Sequence, residues 1–232
     1  MNCKTLVVIG LFFLLLTGLP VIGDVTLKGV QHQDAMMGKP AKDLETTQYY
    51  SDDFVRIVND ESDQLFKFET GELISVDHKT KEYMIIDFSK MQALFEQMKP
   101  MMGDMKVTVE PTGEAKEILG KKCSEYLVKM ESKMMSMEQQ NWISTDVNMN
   151  MEKFQEFFEK QLKLTGIFEN AEEFMKMKGL TLQQEMKISV MGMEMIHSFT
   201  PKEILEDDIA VPVFNIPKDY KGIEFEPGKL QQ

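Results

Sequence analysis

Cysteine is almost missing from this chain: it occurs twice in 232 residues, as Cys3 and Cys123. Cys3 precedes an apolar leader, so removal of that leader leaves Cys123 alone and no internal disulfide is possible. The fold then has to rest on its core, and a chain of this size can bury enough surface for that. Histidine is scarce too, with only His32, His78 and His197, far apart on unrelated stretches. That spacing excludes a His-Glu-x-x-His zinc site, and no Gly-x-Ser-x-Gly elbow, Gly-rich phosphate loop or Cys-x-x-Cys pair is present. The chain is therefore expected to be no enzyme and to need no cofactor. Basic residues are outnumbered, 26 Lys and Arg against 38 Asp and Glu, for a formal charge of -12. Such a balance is unsuited to nucleic acid and to anionic membrane surfaces. The apolar run Leu6 to Leu16 is shorter than the roughly 20 residues that cross a bilayer, so a stable membrane anchor is not expected.

Lys4, that apolar run, Gly18-Leu19-Pro20 and the small residue Gly23 have the layout of a secretory signal. Residues 1–23 are read as cleaved before Asp24, and residues 24–232 as a single exported domain. Periplasmic or secreted bacterial localisation follows, since a domain of this size without disulfides fits a bacterial envelope better than a small eukaryotic secreted module.

What is present is alternation. Between Phe54 and Asp87, four short runs rich in β-branched and aromatic residues are separated by Asn59–Asp63, Thr70-Gly71 and His78–Lys81. Turns this tight make the runs neighbours in an antiparallel meander. Phe66 and Phe68 share one face, Leu65 and Lys67 the other. Asp24–Gln33, Leu44–Tyr50, Lys106–Glu110, Lys116–Leu119, Cys123–Met130 and Met134–Ile143 add strands. Leu180–Val190 and Met193–Thr200 form a hairpin about Met191-Gly192, which pairs Val190 with Met193, Ile188 with Met195 and Met186 with His197. The acidic turn Asn59–Asp63 lacks the Gly and Glu that an EF-hand loop requires and is read as a solvated turn.

Helical spacing interrupts the strands three times. Residues 89–99 carry Met91, Leu94, Phe95 and Met98 on one stripe, after Ser89 and Gln92 as a capping box. Residues 151–164 carry Phe154, Phe157 and Phe158. Residues 170–178 have Asn170 as N-cap, Phe174 and Met177 inward and Gly179 after the end. The expected fold is α+β: a curved antiparallel sheet, an incomplete barrel, with about three helices on its concave face. Met91, Leu94, Phe95, Met98, Phe154, Phe157 and Phe158 are the candidate lining of a site for a lipid or acyl chain; the same stripes also fit a plain core. Methionine is abundant, 21 residues, and Met186, Met193, Met195 and His197 form an alternative soft site for Cu(I). A structural or protein-binding envelope module is the third reading. Cys123 is read as a buried structural thiol.

The order of elements resembles the periplasmic carriers of outer-membrane lipoproteins, and more closely an uncharacterised bacterial family of secreted domains related to them. The residues that carry the resemblance are Arg56, Ile74-Ser75-Val76-Asp77, Ile118 to Tyr126 with Gly120 and Cys123, Trp142, Phe214-Asn215-Ile216-Pro217 and Tyr220. The resemblance implies a lipoprotein-carrier-like half-barrel that encloses a hydrophobic cavity and implies no catalytic residue.

Overall fold

The structure, a computed structural model, describes residues 23–35, 40–87, 105–149, 170–190, 192–210 and 215–224, with 100, 103, 156, 159 and 168. Among the described residues, twelve strands make one sheet. In chain order they are β1 (Val25–Gln33), β2 (Lys42–Tyr50), β3 (Phe54–Val58), β4 (Ser62–Lys67), β5 (Glu72–Asp77), β6 (Glu82–Asp87), β7 (Lys106–Ile118), β8 (Lys121–Glu131), β9 (Met135–Ser144), β10 (Leu180–Val190), β11 (Met193–Leu205) and β12 (Lys221–Ile223). Their order across the sheet is β12-β6-β5-β4-β3-β2-β1-β11-β10-β9-β8-β7. Two meanders thus meet where β1 pairs with β11, and every pairing is antiparallel except β12 with β6.

The expected α+β class is overturned: strand accounts for 64% of the structure, and no helix among the described residues reaches seven residues. The fold is a large open sheet, not a half-barrel with three helices. The stretches 89–99 and 151–164 lie outside the described residues. The third stretch is a six-residue 3-10 turn, Ala171–Lys176, and its partner explains the departure. At three residues per turn, side chains three apart line up. Asn170 Oδ1 accepts from the backbone N–H of Val107 at 3.0 Å while its Nδ2 donates to the Val107 carbonyl. Glu173 accepts from the N–H of Val109 at 3.1 Å, and Lys176 donates to the Val109 carbonyl. One row of side chains therefore satisfies the outer edge of β7, which would otherwise be open to strand addition. A 3.6-residue period would rotate that row off the edge. Asn170 is spent on the strand and makes no side-chain cap bond, whereas Phe174 and Met177 point inward as expected.

Elsewhere the alternation holds. The four-strand meander falls at β3 to β6, and the last hairpin has the expected register, Val190 with Met193, Ile188 with Met195 and Met186 with His197. Lys106–Glu110 and Lys116–Leu119 are a single strand bulged between Pro111 and Ala115. Two glycines are demanded by close approach. A Cβ on Gly29, at a register shift between β1 and β11, would sit 2.3 Å from the Thr200 carbonyl oxygen. Gly179, at φ +116°, brings its backbone against the Ser144 carbonyl.

The main core lies on one face of the sheet and runs from Leu73 and Ile86 through Val55, Tyr50, Val25 and Leu27 to Met186, Met137, Met130 and Val107. A second cluster occupies the opposite face of β4 and β5: Leu65, Ile74 and Val76, covered by Ile209, Ile216 and Tyr220. The covering segment is tied down by the Lys81–Asp219 ion pair at 2.8 Å and by Tyr220 Oη against His78 Nδ1 at 2.8 Å.

Candidate ligand-binding face

The core face is apolar at most positions because each strand alternates, but its apolar parity is broken by amides. On the first meander one row reads Leu27, Gln48, Ile57, Gln64, Ser75 and Met84 from β1 to β6. On the second, a row reads Gln31, Phe199, Gln184, Asn141, Tyr126 and Pro111 from β1 to β7. Gln139 lies beside this row, between Met186 and Val128. Gln48, Gln64, Gln139, Asn141 and Gln184 are all buried.

Most of these groups find partners. The Tyr50 hydroxyl donates to Gln48 Oε1 at 2.5 Å, and burial pushes that hydroxyl's pKa up. Gln139 Nε2 donates to Asn141 Oδ1 at 2.7 Å and to Gln184 Oε1 at 3.3 Å. Among the described residues two atoms remain: Gln64 Oε1 and Asn141 Nδ2 are buried with no hydrogen-bond partner. Gln64 is 5% exposed and Asn141 2%. They sit on β4 and β9, six strand steps apart in the sheet order, roughly 29 Å along the surface at about 4.8 Å per step. One cannot satisfy the other. An orphaned buried amide atom costs about 1 to 3 kcal/mol, so this face pays for two polar groups that the fold itself does not use.

The expected lining residues Met91, Leu94, Phe95, Met98, Phe154, Phe157 and Phe158 lie outside the described residues. The amides were legible in principle: Gln139 and Asn141 share parity with Met135, Met137 and Ile143, and parity with an apolar row marks a buried position.

Of the soft-ligand set, Met186 and Met195 are buried with His197 on the same face, while Met193 is exposed. Burial lowers the His197 pKa and keeps the imidazole neutral. No group of three or more His, Cys, Asp or Glu is placed to hold a metal ion among the described residues. In the turn Asn59–Asp63, Asn59 Oδ1 accepts from the N–H groups of Glu61 and Ser62, both at 2.9 Å, so the turn is closed by its own side chain. Cys123 is buried, and burial raises its thiol pKa, which disfavours the nucleophilic thiolate. Beside it Lys116 lies 3.9 Å over the Trp142 ring and donates to Gln183.

At the sheet end, His32 contacts two carboxylates, Asp43 at 2.6 Å and Asp34 at 3.3 Å. The Asp43 hydrogen bond foremost, and then that to Asp34, raise its pKa from 6.5. Asp34 in turn accepts from the Ile196 N–H at 2.8 Å, joining β1 to β11. A histidine whose folded pKa is raised adds stability that is complete below the unfolded value and vanishes as pH climbs through the folded value. The stability difference between wild type and His32→Gln is therefore expected to shrink as pH rises above about 6.5. Urea unfolding of both proteins across that range checks it; a difference that grows with pH would refute it. His197 contributes in the opposite sense, because burial foremost lowers its pKa.

No family model matches the sequence, and no curated protein matches it. Among solved structures, the chain is similar to PNGF-II, with 9% identity over 90% of this chain and a TM-score of 0.43. It spans about a third (32%) of that chain's length. It is also similar to a DUF1329 family protein from Desulfovibrio piger, with 13% identity over 84% of this chain and 90% of that one, TM-score 0.37. With TM-scores this low, neither likeness bears on what the chain does.

Proposed function

We propose that the protein is a non-catalytic exported binding protein that holds a hydrophobic ligand, a lipid or acyl chain, on the core face of its sheet. The observation that carries this reading is the pair of orphaned buried amide atoms, Gln64 Oε1 and Asn141 Nδ2, on a mostly apolar face. Binding sites for apolar molecules are mostly hydrocarbon with a few polar groups, and the two orphaned amides mark two separate points, on β4 and β9, of such a face. Val25, Leu27 and Val107 have no exposed surface, so a ligand reaches the face only after part of the protein moves aside. Kinship with lipoprotein carriers, suggested by the sequence motifs, would extend to handling lipid and not to the carriers' helix-lined half-barrel. Export agrees with a fold that engages the chain from Asp24, whose carboxylate accepts from the Ile209 N–H at 2.8 Å, and from the fully buried Val25. The thioether and imidazole set is the weaker reading, because Met193 is turned to solvent while Met186 and Met195 are closed off.

The test separates a site from a core by sign. Replacing Gln64 with Met removes the orphaned acceptor at nearly constant volume. Its unfolding free energy is expected to be unchanged or to rise by about 1 kcal/mol, while affinity for a fluorescent acyl probe falls. A variant that loses stability, in a protein whose wild type binds no probe, would identify an ordinary packed face.

A further inference from the structure

We propose that the β5–β6 hairpin carries a docking site for an extended segment, which residues 215–223 fill within one chain and the same residues of a second copy fill in a reciprocally exchanged dimer. The site lies away from the core face and is built from an edge and a small apolar cluster. The edge is β6, where Lys221–Ile223 pairs with Glu82–Met84 and the Lys221 N–H donates to the Lys81 carbonyl at 2.9 Å. The cluster is Leu65, Ile74 and Val76, against which Ile216 and Tyr220 pack. The site matches sequence as well as shape. Asp219 meets Lys81 at 2.8 Å, and the Tyr220 hydroxyl lies 2.8 Å from His78 Nδ1 with the two rings edge to face. Lys221 stands in register with Glu82. A Cβ on Gly222 would lie 3.0 Å from the tip of the Tyr83 ring and from its hydroxyl, so glycine gives the closest fit. Four consecutive residues, an acid, an aromatic, a base and a glycine, each face a matching residue of the hairpin.

Little ties this segment to its own chain. β12 has three residues, and its pairing with β6 is the parallel one in an otherwise antiparallel sheet. The Lys81 and Asp219 side chains are 62% and 61% exposed, which makes their ion pair one of the weak surface kind. Among the described residues, none of 215–223 enters the main core. The segment can therefore leave by a local opening, at a smaller free energy than global unfolding. An opened hairpin presents an unpaired strand edge beside an apolar cluster, and such an edge is a template for another chain. A second copy carries a segment that matches every contact, and twofold exchange fills both sites at once. Because the contacts are the same in both forms, concentration decides between them. The segment of the same chain acts at an effective concentration on the order of mM, so exchange is expected as the protein concentration approaches that value.

The experiment mixes two variants of the whole exported chain, Lys81→Glu and Asp219→Lys, whose exposed side chains can change sign without entering either core. Each variant alone sets like charges against each other, within one chain and in a homodimer alike. A mixed dimer restores an opposite pair at both sites. Sedimentation equilibrium at about 1 mM is expected to give the monomer mass for each variant alone and a doubled mass for the equal mixture. That mass should fall back toward the monomer as added salt screens the restored pairs. A mixture that keeps the monomer mass would overturn the exchange. So would a doubled mass for each variant alone, because that association would not run through the segment. Amide exchange on the wild type decides the matter even if a variant fails to fold. The Lys221 N–H is expected to exchange about tenfold or more faster than that of Val128; equal rates would mean that the segment leaves only with the whole fold, and the proposal would fail.

Discussion

Truncating Asp63 to alanine is expected to cost about 3 to 5 kcal/mol, the range seen when one member of a buried ion pair is removed. The Asp63 side chain is 2% exposed and that of Arg56 13%. The contact is bidentate: Arg56 Nε donates to Oδ1 at 2.7 Å, and a second guanidinium nitrogen donates to Oδ2. A fork of this kind is the strong form of a charged hydrogen bond. Both residues lie on the outer face of β3 and β4, where Arg56 stands opposite Leu65 and Asp63 opposite Val76, beside the cluster that Ile209, Ile216 and Tyr220 cover. Without Asp63 the guanidinium remains there with no counter-charge. The double variant Arg56→Leu with Asp63→Leu removes both charges together, and is expected to lie near wild type or above it. Urea unfolding is the measurement, with a shifted midpoint at constant slope marking a pure stability change. A loss under about 1 kcal/mol for Asp63→Ala would mean that the pair behaves as an exposed surface bridge.

The sequence made this pair half visible. Arg56 belongs to the family-like motif, whereas Asp63 in the sequence is one more acid in a polar turn. The two are joined only once β3 and β4 register at Val58 with Asp63. The same division runs through the fold. Alternation and turn residues set the last hairpin's register, because a two-residue turn leaves no freedom in pairing. They also separated Phe66 from Leu65, which now belong to different clusters on opposite faces. What local pattern could not reveal was partnership at long range. Phe174 and Met177, three apart, fit an α-helix and a 3-10 turn equally well. The deciding residues Asn170, Glu173 and Lys176 reach Val107 and Val109, more than sixty positions earlier. The landing place of Ile209, Ile216 and Tyr220 was hidden for the same reason. The amides Gln139 and Asn141 are visible by parity, but that Gln139 is partnered while Asn141 Nδ2 is left over emerges only from the neighbours that β8 and β10 supply.

Phe174→Ala is expected to cost about 3 to 5 kcal/mol, the range for deleting a buried aromatic ring. Phe174 is 1% exposed and lies edge-on to Phe168, with ring centroids 5.4 Å apart and planes at 83°. Its burial does more than fill volume. A six-residue 3-10 turn is too short to hold itself together, so its position depends on the rows three apart on either side. Phe174 and Met177 anchor one side in the core, while Asn170 and Glu173 cap the β7 edge on the other. Lys176 supports that edge by pairing with the Glu173 carboxylate at 2.6 Å, the leading cause of that carboxyl's lowered pKa. Removing the ring should therefore loosen both functions together. Hydrogen exchange at the Val107 and Val109 amides is expected to accelerate in Phe174→Ala beyond the change at Val128, which pairs within the sheet. Denaturant unfolding and amide exchange on the same variant check the two effects. A large stability loss with uniform exchange would make Phe174 simple core filling and leave the edge of β7 guarded by its polar contacts alone.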